Sequence, residues 1–145
     1  MPFPKPVPGL VLRYSYLWGD EAKAGHEEGS KDRPCAVLLT IVAKDGREIV
    51  TVLPVTHTPP SDPRLAVEIP AGTKARLGLD DDRSWIILNE ANRFEWPGPD
   101  LRPVPGDKDA NVTYGMLPMG IYDLVRTKWL AAFDAGLVDQ VIRTS

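Results

Sequence analysis

Two apolar runs on either side of a short polar turn constrain this chain most. Cys35-Ala36-Val37-Leu38-Leu39-Thr40-Ile41-Val42 and Ile49 to Val55 flank Lys44-Asp45-Gly46. Branched residues bounded by a glycine turn predict an antiparallel hairpin over residues 34–43 and 47–55. Both runs are nearly continuous in apolar residues rather than alternating, so both faces of the hairpin are expected to be covered. Lys31-Asp32-Arg33-Pro34 enters the first strand and Pro54-Val55-Thr56 leaves the second. In a hairpin those two ends meet. An arginine and a hydroxyl at one corner suit a phosphate, because guanidinium offers its oxygens a planar fork of donors.

The other elements are short. Residues 9–18 read as a first strand, and residues 19–33 as a long polar loop. Val67-Glu68-Ile69 reads as a strand, and Ala71 to Leu79 as a helix closed near Gly78. Trp85-Ile86-Ile87-Leu88 is expected to form one strand continuing through Asn89 and Glu90, with loop from 97 to 115. From Pro118 to Phe133, Ile121, Leu124, Val125 and Trp129 recur at helical spacing, and Leu137, Val138, Val141 and Ile142 continue the pattern as a possible second helix. Fifteen prolines punctuate the chain at the N-terminus, after Thr56 and from Pro97 to Pro105, as extended arms and loops. Several short strands followed by a helix predict a mainly β, α+β domain: a small curled barrel with a C-terminal helix packed on it. At 145 residues a single domain is expected.

The net charge of −3 argues against a broad non-specific nucleic-acid surface but leaves room for a small basic site. The lone Cys35 sits in an apolar run, as a buried thiol in a reducing compartment would. With no apolar signal segment and no run of membrane-spanning length, the expectation is a cytoplasmic protein that binds no membrane.

Pro8-Gly9-Leu10-Val11, Lys31-Asp32-Arg33-Pro34-Cys35-Ala36-Val37-Leu38, Val52-Leu53-Pro54-Val55-Thr56 and Trp85-Ile86-Ile87-Leu88-Asn89-Glu90 occur in this order. Together they resemble the MazF/PemK (Kid) toxins of type II toxin–antitoxin systems. The resemblance covers roughly residues 8–93, and the tail from about residue 97 is longer than compact members need. It implies an SH3-like barrel of the CcdB/PemK type with a C-terminal helix, usually a homodimer, partnered by a cognate antitoxin. The implied activity is metal-independent, cofactor-free cleavage of single-stranded RNA. The family's Arg-Pro arginine and Pro-x-Thr threonine carry over onto Arg33 and Thr56. Some members place a catalytic Arg and Asp on the later strand, where this chain has Ile87 and Asn89.

Without a metal, the RNA's own 2′-hydroxyl attacks the adjacent phosphorus and expels the 5′-oxygen. The protein must offset charge on the phosphoryl oxygens and move two protons. Arg33 suits the charge and is a poor base; Thr56 can donate to a phosphate oxygen. Their ordinary alternatives are a strand-entry charge paired with Asp32 or Glu28, and a turn hydroxyl. Candidate acids, bases or substrate contacts are His57, His26, Glu28 and its neighbour Glu27, Asn89 and Glu90. Strand alternation would turn His57 away from Thr56. Tyr14, Tyr16 and Trp18, read on one face of the first strand, could stack on bases but more often form core or interface. Phe94, Trp96 and Pro97-Gly98-Pro99 make an aromatic-proline loop outside the resemblance. Asp80-Asp81-Asp82 looks like a metal cluster, yet consecutive side chains diverge, so a turn is expected and no metal site. The alternative function is a barrel of the same ancestry that has lost cleavage and grips a nucleic acid or protein partner, as the gyrase-poison branch does.

Overall fold

The computed structural model describes residues 3–25 and 31–143. The hairpin forms its centre: β2 (Arg33–Val42) and β3 (Glu48–Thr56) pair antiparallel, with Cys35 opposite Pro54 and Val42 opposite Glu48. β1 (Leu10–Tyr14) lies on the other edge of β2, setting Tyr14 opposite Arg33. β7 (Thr113–Met116) extends the sheet beyond β1.

The free edge of β3 is divided. Its last residues, Val55 and Thr56, pair with β5 (Trp85–Ile87), which carries β4 (Ala66–Glu68) on its far side. Residues Ile49–Val52 pair with β6 (Glu90–Glu95). The segment from Trp85 to Glu90 is therefore not one strand. It breaks at Leu88, whose N–H goes to the Leu65 carbonyl, and the chain then turns to a different stretch of β3. β8 (Asp139–Ile142) adds parallel to β6.

Three short-range readings change for physical reasons. The polar segment after residue 18 holds a helix, α1 (Gly19–Lys23), with Glu21 accepting from the Trp18 N–H at its start. The 97–115 region contains β7, because the open edge of β1 takes its hydrogen bonds. Leu137 to Ile142 is no helix. Gly136, at φ +74°, stops the preceding one, and the open edge of β6 then recruits the chain as a strand. α2 (Ala71–Leu77) closes on left-handed Gly78, and α3 runs from Met119 to Asp134.

The result is an α+β protein, mainly antiparallel sheet, and the sheet does not close into a barrel. Away from its turn end, where Ile41 and Val42 stay exposed, the hairpin is covered on both faces. On one side Ala36, Leu38, Leu53 and Val55 pack with Val67, Ile86, Leu88, Val125 and Trp129, which places α3 over the sheet. On the other, Cys35, Val37, Val50 and Val52 pack with Leu12, Tyr14, Tyr16 and Phe94. The first strand ends at Tyr14, and Tyr14 and Tyr16 are both fully buried in this second core. Phe94 stacks on Tyr14 at 4.5 Å, so the aromatic-proline segment begins as core. Burial pushes the Cys35 thiol far above its ordinary pKa, leaving it inert. Among the described residues no helix is long and apolar enough to cross a membrane.

Candidate functional site

The β2–β3 ladder ends at Cys35 opposite Pro54, and Arg33 and Thr56 lie two residues beyond it on their strands. Both residues line two adjoining clefts, of about 410 and 470 Å3. Lys31 and Thr58 are shared as well, so these four residues form the divide between the clefts.

Arg33 is only 9% exposed. Its guanidinium lies 4.8 Å from the Trp18 ring centre, and Nη1 donates to the Val55 carbonyl at 3.4 Å. Its buried Nε–H has no hydrogen-bond partner among the described residues, and Arg33 belongs to none of the ion pairs found there. Asp32 turns instead to Arg102, at 3.6 Å. A buried cation without a counter-charge is costly, and an arriving anion would relieve that cost. Thr56 Oγ1 accepts from the Thr58 N–H at 3.2 Å, which is turn chemistry. That bond uses a lone pair and leaves the hydroxyl proton to donate.

The first cleft is lined by Arg13, His57, Lys74, Asp80, Ser84 and Tyr114 in addition to the divide. His57 shares it with Thr56, against the alternation expectation, because β3 ends at Thr56 and the chain bends there. His57 Nε2 lies 2.7 Å from Asp80 Oδ2, and Asp80 Oδ1 accepts from Lys74 Nζ at 2.6 Å. Lys74 is buried and also donates to Ser84 Oγ at 2.6 Å and to the Asp82 carbonyl. The hydrogen bond from Lys74, reinforced by that from His57, holds the Asp80 carboxyl below its usual range.

Ligand atoms of His57, Asp80 and Asp82 fall within 4.8 Å of one another, so two of the three consecutive aspartates converge after all. The Lys74 ammonium already supplies a cation to this group, and its positive charge opposes a metal ion beside it.

The second cleft is lined by Trp18, Pro59, Pro60, Leu65, Ile87, Asn89 and Glu90 along with the divide. Glu90 Oε1 accepts from the Tyr16 hydroxyl at 3.0 Å and from the Gly19 N–H at 3.1 Å. Burial raises the Glu90 pKa, with Asp20 and Asp139 adding to it, and outweighs those two bonds. Asn89 and Glu90 thus sit with Arg33 and Thr56, on the opposite side from His57. His26, Glu27 and Glu28 lie outside the described residues.

No family model, curated protein or solved structure matches this chain. Lys74, Arg13 and Tyr114 had no local sequence signal, and Asp80 showed only as part of a run of three aspartates. The hydrogen bond from Arg13 Nη1 to the Tyr114 hydroxyl, 3.2 Å long, joins residues 101 positions apart.

One consequence of the Glu90 environment is a pH-dependent stability. A carboxyl whose folded pKa is raised favours the fold while neutral. It loses that advantage as pH climbs through the unfolded value towards the folded one. Glu90→Gln, which keeps a carbonyl for Tyr16 and Gly19, is expected to have a urea midpoint at or above wild type at pH 7. The gap should close as pH falls below the ordinary carboxylate range. A variant less stable than wild type at neutral pH, with a gap unchanged by acid, would contradict this.

Proposed function

We propose that this protein is a growth-inhibiting toxin of the MazF/PemK type, a metal-independent endoribonuclease acting on single-stranded RNA. In this reading its open sheet is a variant of the family's SH3-like barrel. The observation that carries the reading is Arg33: a buried guanidinium, stacked on Trp18, with an N–H that has no partner among the described residues, beside the Thr56 hydroxyl at the divide between two clefts. A scissile phosphate on that divide would supply the counter-charge that Arg33 lacks among the described residues. The nucleotides on either side of it would enter one cleft each. Arg33 offsets the charge that grows on the phosphoryl oxygens, and Thr56 donates to one of them. Glu90, in the second cleft, is a carboxylate able to take the 2′-hydroxyl proton, with its raised pKa bringing it nearer the working pH. Trp18, Pro59 and Pro60 give a base flat surfaces to lie on.

The test is direct. The purified protein, incubated in EDTA with single-stranded RNA of varied sequence, is expected to leave fragments ending in a cyclic phosphate and beginning with a 5′-hydroxyl. Intact RNA after long incubation would favour the second reading, a binding protein of the same ancestry. That reading is favoured by Ile87 and Asn89, which stand where some members carry catalytic residues.

A cytoplasmic homodimer neutralised by a cognate antitoxin belongs to the same proposal. Several large apolar side chains stay exposed, among them Met119, Leu124, Leu130 and Phe133 of α3 and Ile41 and Val42 of the hairpin. Light scattering at micromolar concentration is expected to give twice the chain mass of 16.0 kDa. A monomer at that concentration would remove the dimer.

A further inference from the structure

We propose that His57 is the general acid of the cleavage reaction, held in place by Asp80 and donating its Nδ1 proton to the departing 5′-oxygen. The assignment rests on the ribonuclease reading above and names a catalytic group within it.

Three observations carry it. First, in-line displacement puts the attacking 2′-oxygen and the leaving 5′-oxygen on opposite sides of phosphorus. The structure places Glu90 and His57 in different clefts, on opposite sides of the Arg33–Thr56 divide that would hold that phosphorus. A base on one side requires its acid on the other.

Second, the His57 ring is oriented by a supported chain. Nε2 faces Asp80 Oδ2 at 2.7 Å, while Asp80 is held through its other oxygen by buried Lys74, which Ser84 and the Asp82 carbonyl secure in turn. With Nε2–H committed to a carboxylate, the ring's remaining nitrogen, Nδ1, is the one left for substrate. When the ring is protonated, Nδ1 carries the proton it has to give. Lys74 keeps that carboxylate ionised and stationary.

Third, the other cleft groups are poor acids. Arg13, Arg33 and Lys31 hold their protons too tightly, and a threonine hydroxyl is weaker still. Tyr114 accepts from Arg13, and a phenol is a weaker acid than an imidazolium. His57 is the one histidine among the described residues.

The step balances. The 2′-oxygen bonds to phosphorus as its proton passes to the base. The bond from phosphorus to the 5′-oxygen breaks, and the Nδ1 proton moves onto that oxygen. The products are a 2′,3′-cyclic phosphate and a 5′-hydroxyl, with His57 neutral until solvent returns its proton.

A sulfur leaving group tests this. The scissile linkage is first mapped with wild-type protein. An oligoribonucleotide is then made in which sulfur replaces the 5′-bridging oxygen at that linkage. A thiolate departs without protonation, so the need for an acid disappears. His57→Gln, at a solvent-exposed position where the core is untouched, is expected to lose about a hundred- to a ten-thousandfold in single-turnover rate on the oxygen substrate. On the sulfur substrate it should fall within a few-fold of wild type. Arg33→Ala should be slow on both, because charge on the phosphoryl oxygens develops either way. Equal losses by His57→Gln on the two substrates would assign His57 a merely structural part, and no loss on the oxygen substrate would remove it from the mechanism. Either result leaves the ribonuclease reading standing. Wild-type protein that cleaves no RNA would overturn both together.

Discussion

Arg33→Ala is expected to lower RNA cleavage by about a hundred- to a thousandfold, the usual cost of deleting one preorganised donor to a developing oxyanion. The guanidinium is already dehydrated, fixed against Trp18 and bonded through Nη1 to the Val55 carbonyl, so little reorganisation remains when the phosphate arrives. The substitution should not unfold the chain. It removes a buried charge that has no ion-pair partner among the described residues, and relief of that charge offsets the lost packing on Trp18. Single-turnover rates with saturating RNA, together with urea unfolding of the same preparation, check both halves. Cleavage at the wild-type rate would remove Arg33 from the chemistry. Arg33→Lys is expected to recover only a small part, because an ammonium lacks the planar fork and stacks less well on the indole.

The second large effect concerns stability. Asp100→Ala is expected to cost about 3–5 kcal/mol, the usual result of removing one partner of a buried ion pair. Arg143 is almost wholly enclosed. Its Nη2 donates to Asp100 Oδ2 at 2.8 Å, and its Nη1 donates to the Ser15 carbonyl at 2.8 Å and to Asn92 Oδ1 at 3.1 Å. Asn92 in turn accepts from the Leu17 N–H and donates to the Leu17 carbonyl. This network pins residues 15–17, and with them the Trp18 ring that supports Arg33. Domains of this kind are stable by only about 5–15 kcal/mol, so the loss should move the urea midpoint well below wild type. Arg143→Met added to Asp100→Ala should recover part of it, since a neutral side chain of similar length does not need the lost carboxylate. A loss below about 1 kcal/mol for Asp100→Ala would mean that Arg143 does not depend on Asp100 for its counter-charge.

What could be read in the chain was local. The hairpin showed in its two apolar runs and the turn between them. The meeting of Arg33 and Thr56 followed from strand geometry, because antiparallel partners bring an entry and an exit together. Helix α2 showed in its closing Gly78, and α3 in the spacing of Ile121, Val125 and Trp129. Each of these depends on contacts between residues near in sequence, or on one hairpin.

What only the tertiary structure decided were pairings between distant segments. Leu137, Val138, Val141 and Ile142 satisfy a helical pattern as well as a strand. The open edge of β6, about fifty residues earlier, settled the matter by offering backbone partners. The same reason split the segment from Trp85 to Glu90, since the edge of β3 is shared by two strands whose register breaks at Leu88. The histidine at 57 carried no sign of its partner. Asp80 reaches it because α2 turns back on Gly78 and because a buried Lys74 draws the carboxylate inward. A lysine on a short helix looks like a solvated charge in sequence. It becomes an anchor only when folding removes it from water and leaves Asp80, Asp82 and Ser84 to satisfy it.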